Sequence, residues 1–463
     1  MTDSLGTETR REVAEFVSEW AREEGVPGAS VAVVDESGVR YAEGFGSRDR
    51  ATNAPATTET LYGIGSCTKS VTTVALMRLV EDGDVSLSDP VDDYLPHLAG
   101  VEGDPVTLHD LLCHSSGMPS DGNLSVLITR LTGRGDGDPD VPLGSDADFR
   151  RHVESAAGER LTDRERFFYY NTGYTLLGMV VAEVTGEPYA DAVRELVLDP
   201  LGMTRSCFAR EAFEAEADRM TPYNREDGEA VEGELAFDER LYAPGGMVSS
   251  VAEMATYVRM YLGEGTVDGT EVLSPSSVAR MRERHAVRED YLDGREQGYG
   301  YGLSAEAFLD DTLVGHGGMM GTTTAYFGYL ADAGVGVVVA CNTAPEKHPT
   351  ALGKAVLALV RGESPHETVP TYALARKADP LVGEYAAHRG VRNATVEREG
   401  GGLQITVDDP GWSMTYRAFP ETLDPDDHRY YTVTAQGKRV PVEFLVSEDD
   451  VSLLLQRWRL HRE

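Results

Sequence analysis

The stretch SCTKSVTTVALMRLVE, residues 66–81, carries a serine and a lysine three residues apart, followed by a dense apolar run. This run is too apolar for a helix with one face in water, so we expect a buried central helix that decides the fold. Gly83 is expected to end the helix, because glycine readily adopts the left-handed conformation found at helix termini. Residues three apart share a helical face, so the Ser66 hydroxyl and the Lys69 amine should meet.

Ser66 and Lys69 have the chemistry of a nucleophile and its base. A serine hydroxyl is a poor nucleophile until a neighbouring base takes its proton. A lysine amine can be that base once burial lowers its pKa. Of the chain's five lysines, only Lys69 lies three residues after a serine. The other four are Lys347, Lys354, Lys377 and Lys438.

Two further short segments carry groups suited to catalysis. Tyr169 and Asn171 lie in RFFYYNTGYTLLG, residues 166–178, which would by itself also fit a surface loop before a core helix. His316–Gly318 lies in a later β-rich segment, where glycine lets a substrate approach a strand edge and backbone N–H groups can bind an oxyanion. His388–Gly390 repeats this pattern in the C-terminal β-rich segment, and we interpret it as incidental.

These motifs occur in an order that resembles serine β-lactamases and penicillin-binding proteins. S-x-x-K is their nucleophile motif. Residues 169–171 resemble their Y-x-N motif, and residues 316–318 resemble their K-T-G position, where some members carry H-x-G. TLHDLLCHSSGMP, residues 107–119, and YAPGGMVSSVAEMATYVRMYL, residues 242–262, also look like segments of this family. Over about residues 10–360 the chain is similar to class C β-lactamases, D-alanyl carboxypeptidases, D-aminopeptidases and related esterases.

The resemblance implies a serine hydrolase that works through an acyl-enzyme, without a cofactor or a metal. Ser66 would attack an ester or amide carbonyl, and Lys69 and Tyr169 would move the protons; which of the two is the general base stays open. The oxyanion would lie between the backbone N–H groups of Ser66 and Met319. The residues expected to position the substrate are Asn171, His316, Gly317 and Gly318.

The residue at position 316 indicates which substrate charge the site favours. Family β-lactamases place a lysine there, near the substrate carboxylate, whereas a histidine is mostly neutral at pH 7. We therefore expect neutral or cationic substrates, such as small esters and D-amino-acid peptides or amides, to be preferred over penicillins. Two alternatives stay open: a true β-lactamase or D-alanyl carboxypeptidase, and a non-catalytic penicillin-binding-like sensor or binding protein.

The order of segments predicts an α/β fold of the α+β sandwich type. ASVAVVDESGVRYAEGFG, residues 29–46, predicts an antiparallel hairpin, and β-rich runs return after Asp311. We therefore expect an antiparallel sheet built from both ends of a catalytic domain, residues 1–365, with flanking helices and a helical subdomain. The loop-rich residues 133–146 are expected to form an exposed insertion.

The sequence pattern changes in the C-terminal part of the chain. After a proline-containing linker, HETVPTYALARKADP, residues 366–380, short alternating runs predict a small barrel-like all-β domain of lipocalin type over residues 371–463. The composition shift predicts that this domain is separable from the catalytic part.

Charge and cysteine content limit the partners and the compartment. The chain has 42 basic and 78 acidic residues, a formal net charge of −36, which argues against nucleic acid or an anionic membrane as partner and is typical of halophilic proteins. An ordinary acidic protein is the alternative. The amino terminus lacks a signal pattern, so we expect a cytoplasmic enzyme of small-molecule or short-peptide substrates that can form a homo-oligomer. The cysteines have no paired or metal-type spacing and are Cys67, Cys113, Cys207 and Cys341.

Overall fold

The computed structural model has two compact units. The large unit comprises Met1–Glu289 and Glu296–Val360, and the barrel unit comprises Asp290–Arg295 and Arg361–Glu463. Half of the expected insertion at 133–146, residues 134–140, lies outside the residues that the structure describes, which are 5–98, 104–133, 141–161, 166–226, 228–447 and 450–463. The expected domain limits at 365 and 371 stay predictions.

The large unit contains fifteen strands among its described residues. They are β1 (Gly28–Asp35), β2 (Gly38–Asp49), β3 (Ala54–Pro55), β4 (Tyr62–Gly63), β5 (Tyr223–Glu226), β6 (Glu229–Glu232), β7 (Val248–Ser249), β8 (Thr266–Val267), β9 (Thr270–Glu271), β10 (Ala286–Asp290), β11 (Glu296–Tyr299), β12 (Ser304–Phe308), β13 (Asp311–Met319), β14 (Thr324–Leu330) and β15 (Val335–Cys341).

Nine of these strands form the main sheet. Their order is β10-β11-β12-β13-β14-β15-β1-β2-β3, so the amino-terminal hairpin lies directly beside the last strand of the unit. β1 pairs antiparallel with both β2 and β15, and Val31 lies opposite Val339 in the second pairing. The predicted sheet from both ends of the catalytic part is confirmed.

The helices of the large unit cover the sheet and surround the predicted site. Within the described ranges they are α1 (Thr7–Glu23), α2 (Thr68–Asp82), α3 (Leu108–Leu112), α4 (Asn123–Thr132), α5 (Asp146–Ala157), α6 (Asn171–Thr185), α7 (Tyr189–Val193), α8 (Arg210–Ala215), α9 (Glu239–Leu241), α10 (Val251–Leu262), α11 (Pro275–Arg282) and α12 (Pro349–Val360).

Helices pack on both faces of the sheet. A Cβ added to Gly336 of β15 would lie 2.4 Å from Val258 of α10, whereas its neighbour Val337 lies beside Gly353 of α12. Since consecutive strand residues point to opposite faces, α10 and α12 cover opposite sides. Every residue of β14 is buried as a result.

The predicted central helix is α2. Its residues from Thr68 to Met77 are buried, and Gly83 follows it in the left-handed conformation, with φ 81°. The α-helix begins two residues later than expected, because Gly65–Cys67 forms a 3₁₀ turn that leads into it. Ser66 therefore lies on this turn and not on the α-helix itself.

The barrel unit begins with two helices, α13 (Pro365–Thr368) and α14 (Pro370–Ala378). Most of the segment expected to be a linker is therefore helical. Proline is tolerated at the first turn of a helix, where its missing N–H would have no intrahelical partner. Tyr372 and Ala373 of α14 are buried, so the helix is part of the unit's packing.

Eight strands close the predicted C-terminal barrel. They are β16 (Gly383–Ala386), β17 (Asn393–Glu399), β18 (Gly402–Asp409), β19 (Trp412–Pro420), β20 (Arg429–Val433), β21 (Arg439–Val446), β22 (Val451–Leu455) and β23 (Trp458–Arg462). The barrel closes because β16 pairs with β23 as well as with β17. Inward residues such as Val396, Ile405 and Leu453 form its apolar core. In the described part of the chain, no helix is long and apolar enough to cross a membrane.

Candidate active site

Ser66 and Lys69 meet as the spacing predicted. The 3₁₀ turn before α2 presents the Ser66 hydroxyl, and the Lys69 amine on the first turn of α2 lies 2.9 Å from Ser66 Oγ. The side chain of Lys69 is fully buried. The nucleophile and base candidates are thus in direct hydrogen-bond contact.

The remaining partners of Lys69 determine which protonation state suits it. Lys69 Nζ donates to Asn171 Oδ1 at 2.7 Å and to the carbonyl oxygen of Pro244 at 2.7 Å. Both oxygens can only accept, whereas the Ser66 hydroxyl can also donate. A neutral amine has two N–H groups for these two oxygens and one lone pair for the Ser66 proton. Burial lowers the pKa of Lys69 well below its ordinary value and so favours this neutral form.

Tyr169 lies in the loop before α6 and reaches the same serine. Its side chain hydrogen-bonds Ser66, and Lys69 Nζ lies 5.1 Å from the centre of its ring. Burial, the largest cause, raises the pKa of Tyr169 to about 12, and the bond to Ser66 opposes that shift. Tyr169 is therefore a neutral phenol at pH 7, able to donate a proton or to pass one on.

Strand β13 lies against the turn that carries the serine. A Cβ added to Gly318 would lie 1.9 Å from Ile64 O and 2.9 Å from Ser66 N. One added to Gly65, which has φ 53°, would lie 2.4 Å from Met319 N. Only glycine allows this approach, which brings the backbone N–H groups of residues 66 and 319 to one place. The Met319 side chain itself is 53% exposed.

His316 is buried in β13 with both ring nitrogens occupied. Nδ1 lies 2.6 Å from Gly317 O, which can only accept, so Nδ1 carries the proton. Nε2 then accepts from the Tyr299 hydroxyl at 3.0 Å. Burial, the largest cause, lowers the pKa of His316 to about 3. The ring is neutral and has no free N–H for a substrate carboxylate.

His114 lies beneath the site, which the sequence did not indicate. Its ring centre is 4.3 Å from that of Tyr169, and its Nδ1 accepts the Tyr170 N–H at 3.2 Å. Rings of Phe167, Tyr174 and Tyr299 surround it as well. These contacts give His114 a structural role, because the aromatic cluster fixes the position of the Tyr169 ring.

Arg288 on β10 is a second residue that the sequence did not indicate. Its guanidinium carbon lies 6.0 Å from the centre of the Tyr169 ring and 5.9 Å from that of Phe167. Its positive charge lowers the pKa values of Tyr169 and His316, although it is not the largest cause for either. No short motif surrounds this arginine, so only the fold shows that it belongs to the site.

Every residue expected to act in the site is therefore found around Ser66. Lys69 and Tyr169 contact its hydroxyl, Asn171 accepts a hydrogen bond from Lys69, and residues 316–319 supply the adjoining strand. His388, which shares the H-x-G pattern, lies in the barrel unit, between β16 and β17.

Comparison with known proteins relates each unit to a family. The β-lactamase family model matches residues 10–361. Residues 365–461 match a model described as the Pab87 octamerisation domain.

Individual relatives agree with these matches. Penicillin-binding protein 4 of Amycolatopsis lactamdurans is 30% identical over 392 residues, which cover 82% of this chain and 95% of that protein. The octameric penicillin-binding protein homologue from Pyrococcus abyssi is 32% identical with a TM-score of 0.90, covering 98% of this chain and 99% of that one. A class C β-lactamase from Rhodobacter sphaeroides, 21% identical with a TM-score of 0.60 over 76% of this chain and 98% of its own, shares the fold.

Replacing Gly318 with alanine should impair Ser66 without touching any side chain of the site. The added Cβ would push β13 away from the serine turn, and a displacement of about 1 Å can cost about 100-fold in rate. We expect Gly318→Ala to slow labelling of Ser66 by a fluorophosphonate probe by about that factor. Gly144→Ala, whose Cβ would meet nothing within 4 Å, is the control. Equal labelling of the two folded variants would contradict the close approach.

Proposed function

The chain belongs to the β-lactamase family, and on that premise we propose that it is a serine hydrolase that forms an acyl-enzyme on Ser66. The observation that carries the proposal is the contact between the Ser66 hydroxyl and a buried lysine amine whose other two partners can only accept hydrogen bonds. The reaction is hydrolysis of an ester or amide bond.

Acylation begins with the Ser66 proton. The lone pair of Lys69 accepts it while Ser66 Oγ attacks the substrate carbonyl, and the ammonium that forms keeps its bonds to Asn171 and Pro244. Attack places a negative charge on the carbonyl oxygen. The backbone N–H groups of Ser66 and Met319 stabilise it, and such donors are worth about 100- to 1,000-fold in rate.

Collapse of the tetrahedral intermediate requires a proton on the leaving group. Tyr169 contacts Ser66 Oγ and is the group we assign to deliver it, with replacement from the Lys69 ammonium. Because the two groups share one hydroxyl, they titrate as a set and are treated as one proton-transfer unit. A water then attacks the acyl group, gives its proton to this unit, and Ser66 leaves with a proton restored.

Small esters and D-amino-acid peptides or amides are the substrates that we propose. Asn171 and the β13 edge at Gly317 and Gly318 would position them. A true β-lactamase or D-alanyl carboxypeptidase is the alternative within the same chemistry. A non-catalytic sensor is the alternative from another class, and the complete set of nucleophile, base and oxyanion donors favours an enzyme over it.

Replacing the nucleophile tests this function. Ser66→Ala should abolish fluorophosphonate labelling and lower turnover of a chromogenic ester by on the order of 10⁴-fold or more, and Lys69→Ala should be comparably damaging. Ser276→Ala, at an exposed position of α11, should leave both unchanged. Near-normal turnover in Ser66→Ala would refute the site, and labelling without turnover of any ester, amide or β-lactam would favour the sensor.

We also propose that the protein assembles as a homo-oligomer through its barrel unit. This unit matches the octamerisation domain, and the Pyrococcus abyssi relative is octameric. Large apolar side chains are exposed on its strands and loops, and a partner subunit would bury apolar surface of this kind. They are Val382, Val391, Trp412, Met414, Phe419, Val433, Leu445 and Val446.

A charge placed on one of these side chains should weaken assembly. We expect light scattering to give the mass of an oligomer for the wild type and a smaller species for Phe419→Glu, because a buried unpaired carboxylate is costly. Gln436→Glu adds the same charge in an exposed turn and should keep the wild-type mass. A monomeric wild type would contradict the proposal.

A further inference from the structure

His348 lies between β15 and α12, and the acyl-transfer mechanism does not use it. Its Nδ1 accepts the Thr350 N–H at 3.1 Å, so the proton of the neutral ring is on Nε2. Nε2 then donates to the carbonyl oxygen of Gly318 at 3.1 Å. Burial, the largest cause, lowers the pKa of His348 below its ordinary value, so the ring is neutral at pH 7 and keeps this arrangement.

The Gly318 carbonyl belongs to the same peptide unit as the Met319 N–H, the second donor to the proposed oxyanion. A peptide unit is planar and trans, so a bond that fixes its carbonyl also fixes the direction of its N–H on the opposite side. Hydrogen bonds in a chain polarise one another, by about 10–30% per bond. Donation from His348 to Gly318 therefore makes the Met319 N–H a stronger donor.

Gly317 leaves room for this histidine. A Cβ added to Gly317 would lie 3.1 Å from His348 Cε1 and 2.6 Å from Thr350 Oγ1. The ring therefore packs directly on the backbone of β13, one residue before the carbonyl that it contacts. A side chain at position 317 would displace His348, which gives this glycine a role besides access to the strand edge.

The backbone just before His348 is held by the amino-terminal helix. Trp20 of α1 donates its Nε1–H to the carbonyl oxygen of Lys347 at 3.0 Å, and the Lys347 N–H donates to the Glu24 carboxylate at 3.0 Å. Both Trp20 and Glu24 are buried. Pro349 follows His348 and favours extended backbone at the histidine. The ring thus starts from a fixed backbone, as a residue that directs another group requires.

A structural role accounts for only one of the two bonds of His348. The ring accepts the N–H of Thr350, the second residue of α12, as an N-cap side chain does at the first turn of a helix. The bond to Gly318 is made by the other ring nitrogen and to a strand. Capping does not need it, so substitution can separate the two roles.

We propose that His348 is a positioning residue for the oxyanion: its Nε2–H fixes and polarises the peptide unit whose N–H, that of Met319, stabilises the negative charge. The inference rests on the proposed function, because it needs a carbonyl attacked by Ser66. Acylation and deacylation both pass through a tetrahedral oxyanion, so the bond to Gly318 assists both steps. Its loss should therefore lower kcat and leave KM almost unchanged.

Two substitutions each keep one half of the His348 ring. Asparagine places an amide near the position of Nδ1 and is preferred at N-caps, so His348→Asn keeps the cap and loses the donor to Gly318. Glutamine places an amide N–H near the position of Nε2 and is not among the preferred N-cap residues. His348→Gln therefore keeps the donor and loses the cap.

The two variants should change activity and stability in opposite ways. With a p-nitrophenyl ester, we expect His348→Asn to lose about 3- to 10-fold in kcat, with KM within about twofold of wild type. Its melting temperature should equal that of wild type. We expect His348→Gln to keep kcat within about twofold of wild type and to melt a few degrees lower, because it lacks the cap.

The control is a histidine that makes the same kind of bond elsewhere. His152 of α5 bonds to the carbonyl oxygen of Pro142 at 2.9 Å, and no residue of α5 is placed in the site, so His152→Asn should change neither kcat nor KM. A His348→Asn variant with normal kcat, with a raised KM alone, or unable to fold would overturn the inference. So would a loss of kcat in His348→Gln as large as that in His348→Asn. A wild type that does not hydrolyse the ester would refute the proposed function, and the inference with it.

Discussion

The structure around the site depends on one buried amine. Lys69 has no contact with solvent, and its three polar neighbours come from the serine turn, the start of α6 and the Pro244 carbonyl of a π-helical turn, Tyr242–Gly246. Burial there disfavours the charged form of Lys69 and lowers its pKa, which suits it to the proposed role of base. Three separated parts of the chain must pack correctly around Lys69 for this to happen. The protonation state of the amine therefore depends on the folded core.

The second constraint is the close approach of β13 to the serine turn. It requires glycine on both sides, at Gly65 and Gly318, and it brings two backbone N–H groups beside Ser66, the proposed nucleophile. Neither segment could hold this position alone. The turn is fixed by the buried helix α2 that follows it, and β13 is fixed by its pairing with β12 and β14. In the proposed reaction these donors would need no rearrangement as negative charge develops on the carbonyl oxygen.

Much of the fold and most of the site could be predicted from local patterns. The apolar run after Ser66, the terminating Gly83, the amino-terminal hairpin and the closed barrel all follow from periodicity and turn residues. The helix α14 was missed because proline in this segment suggested a linker, although Pro370 occupies a first-turn position of the helix. His114 and Arg288 could not be found, since their roles come from tertiary contacts across long sequence separations and from no motif. The hydrogen bond that occupies His316 Nε2 likewise depends on Tyr299, a residue of another strand.

The central claim is that Lys69 is a neutral base in the free enzyme, and the protonation state of its amine tests that most directly. The chain has five lysines, so the ¹³Cε resonances of a lysine-labelled sample can be separated and Lys69 assigned by its loss in Lys69→Arg. The account predicts that the Lys69 resonance titrates well below the ordinary pKa of 10.5, in the direction that burial imposes. A Lys69 that stays protonated until pH 10.5 or above would contradict it.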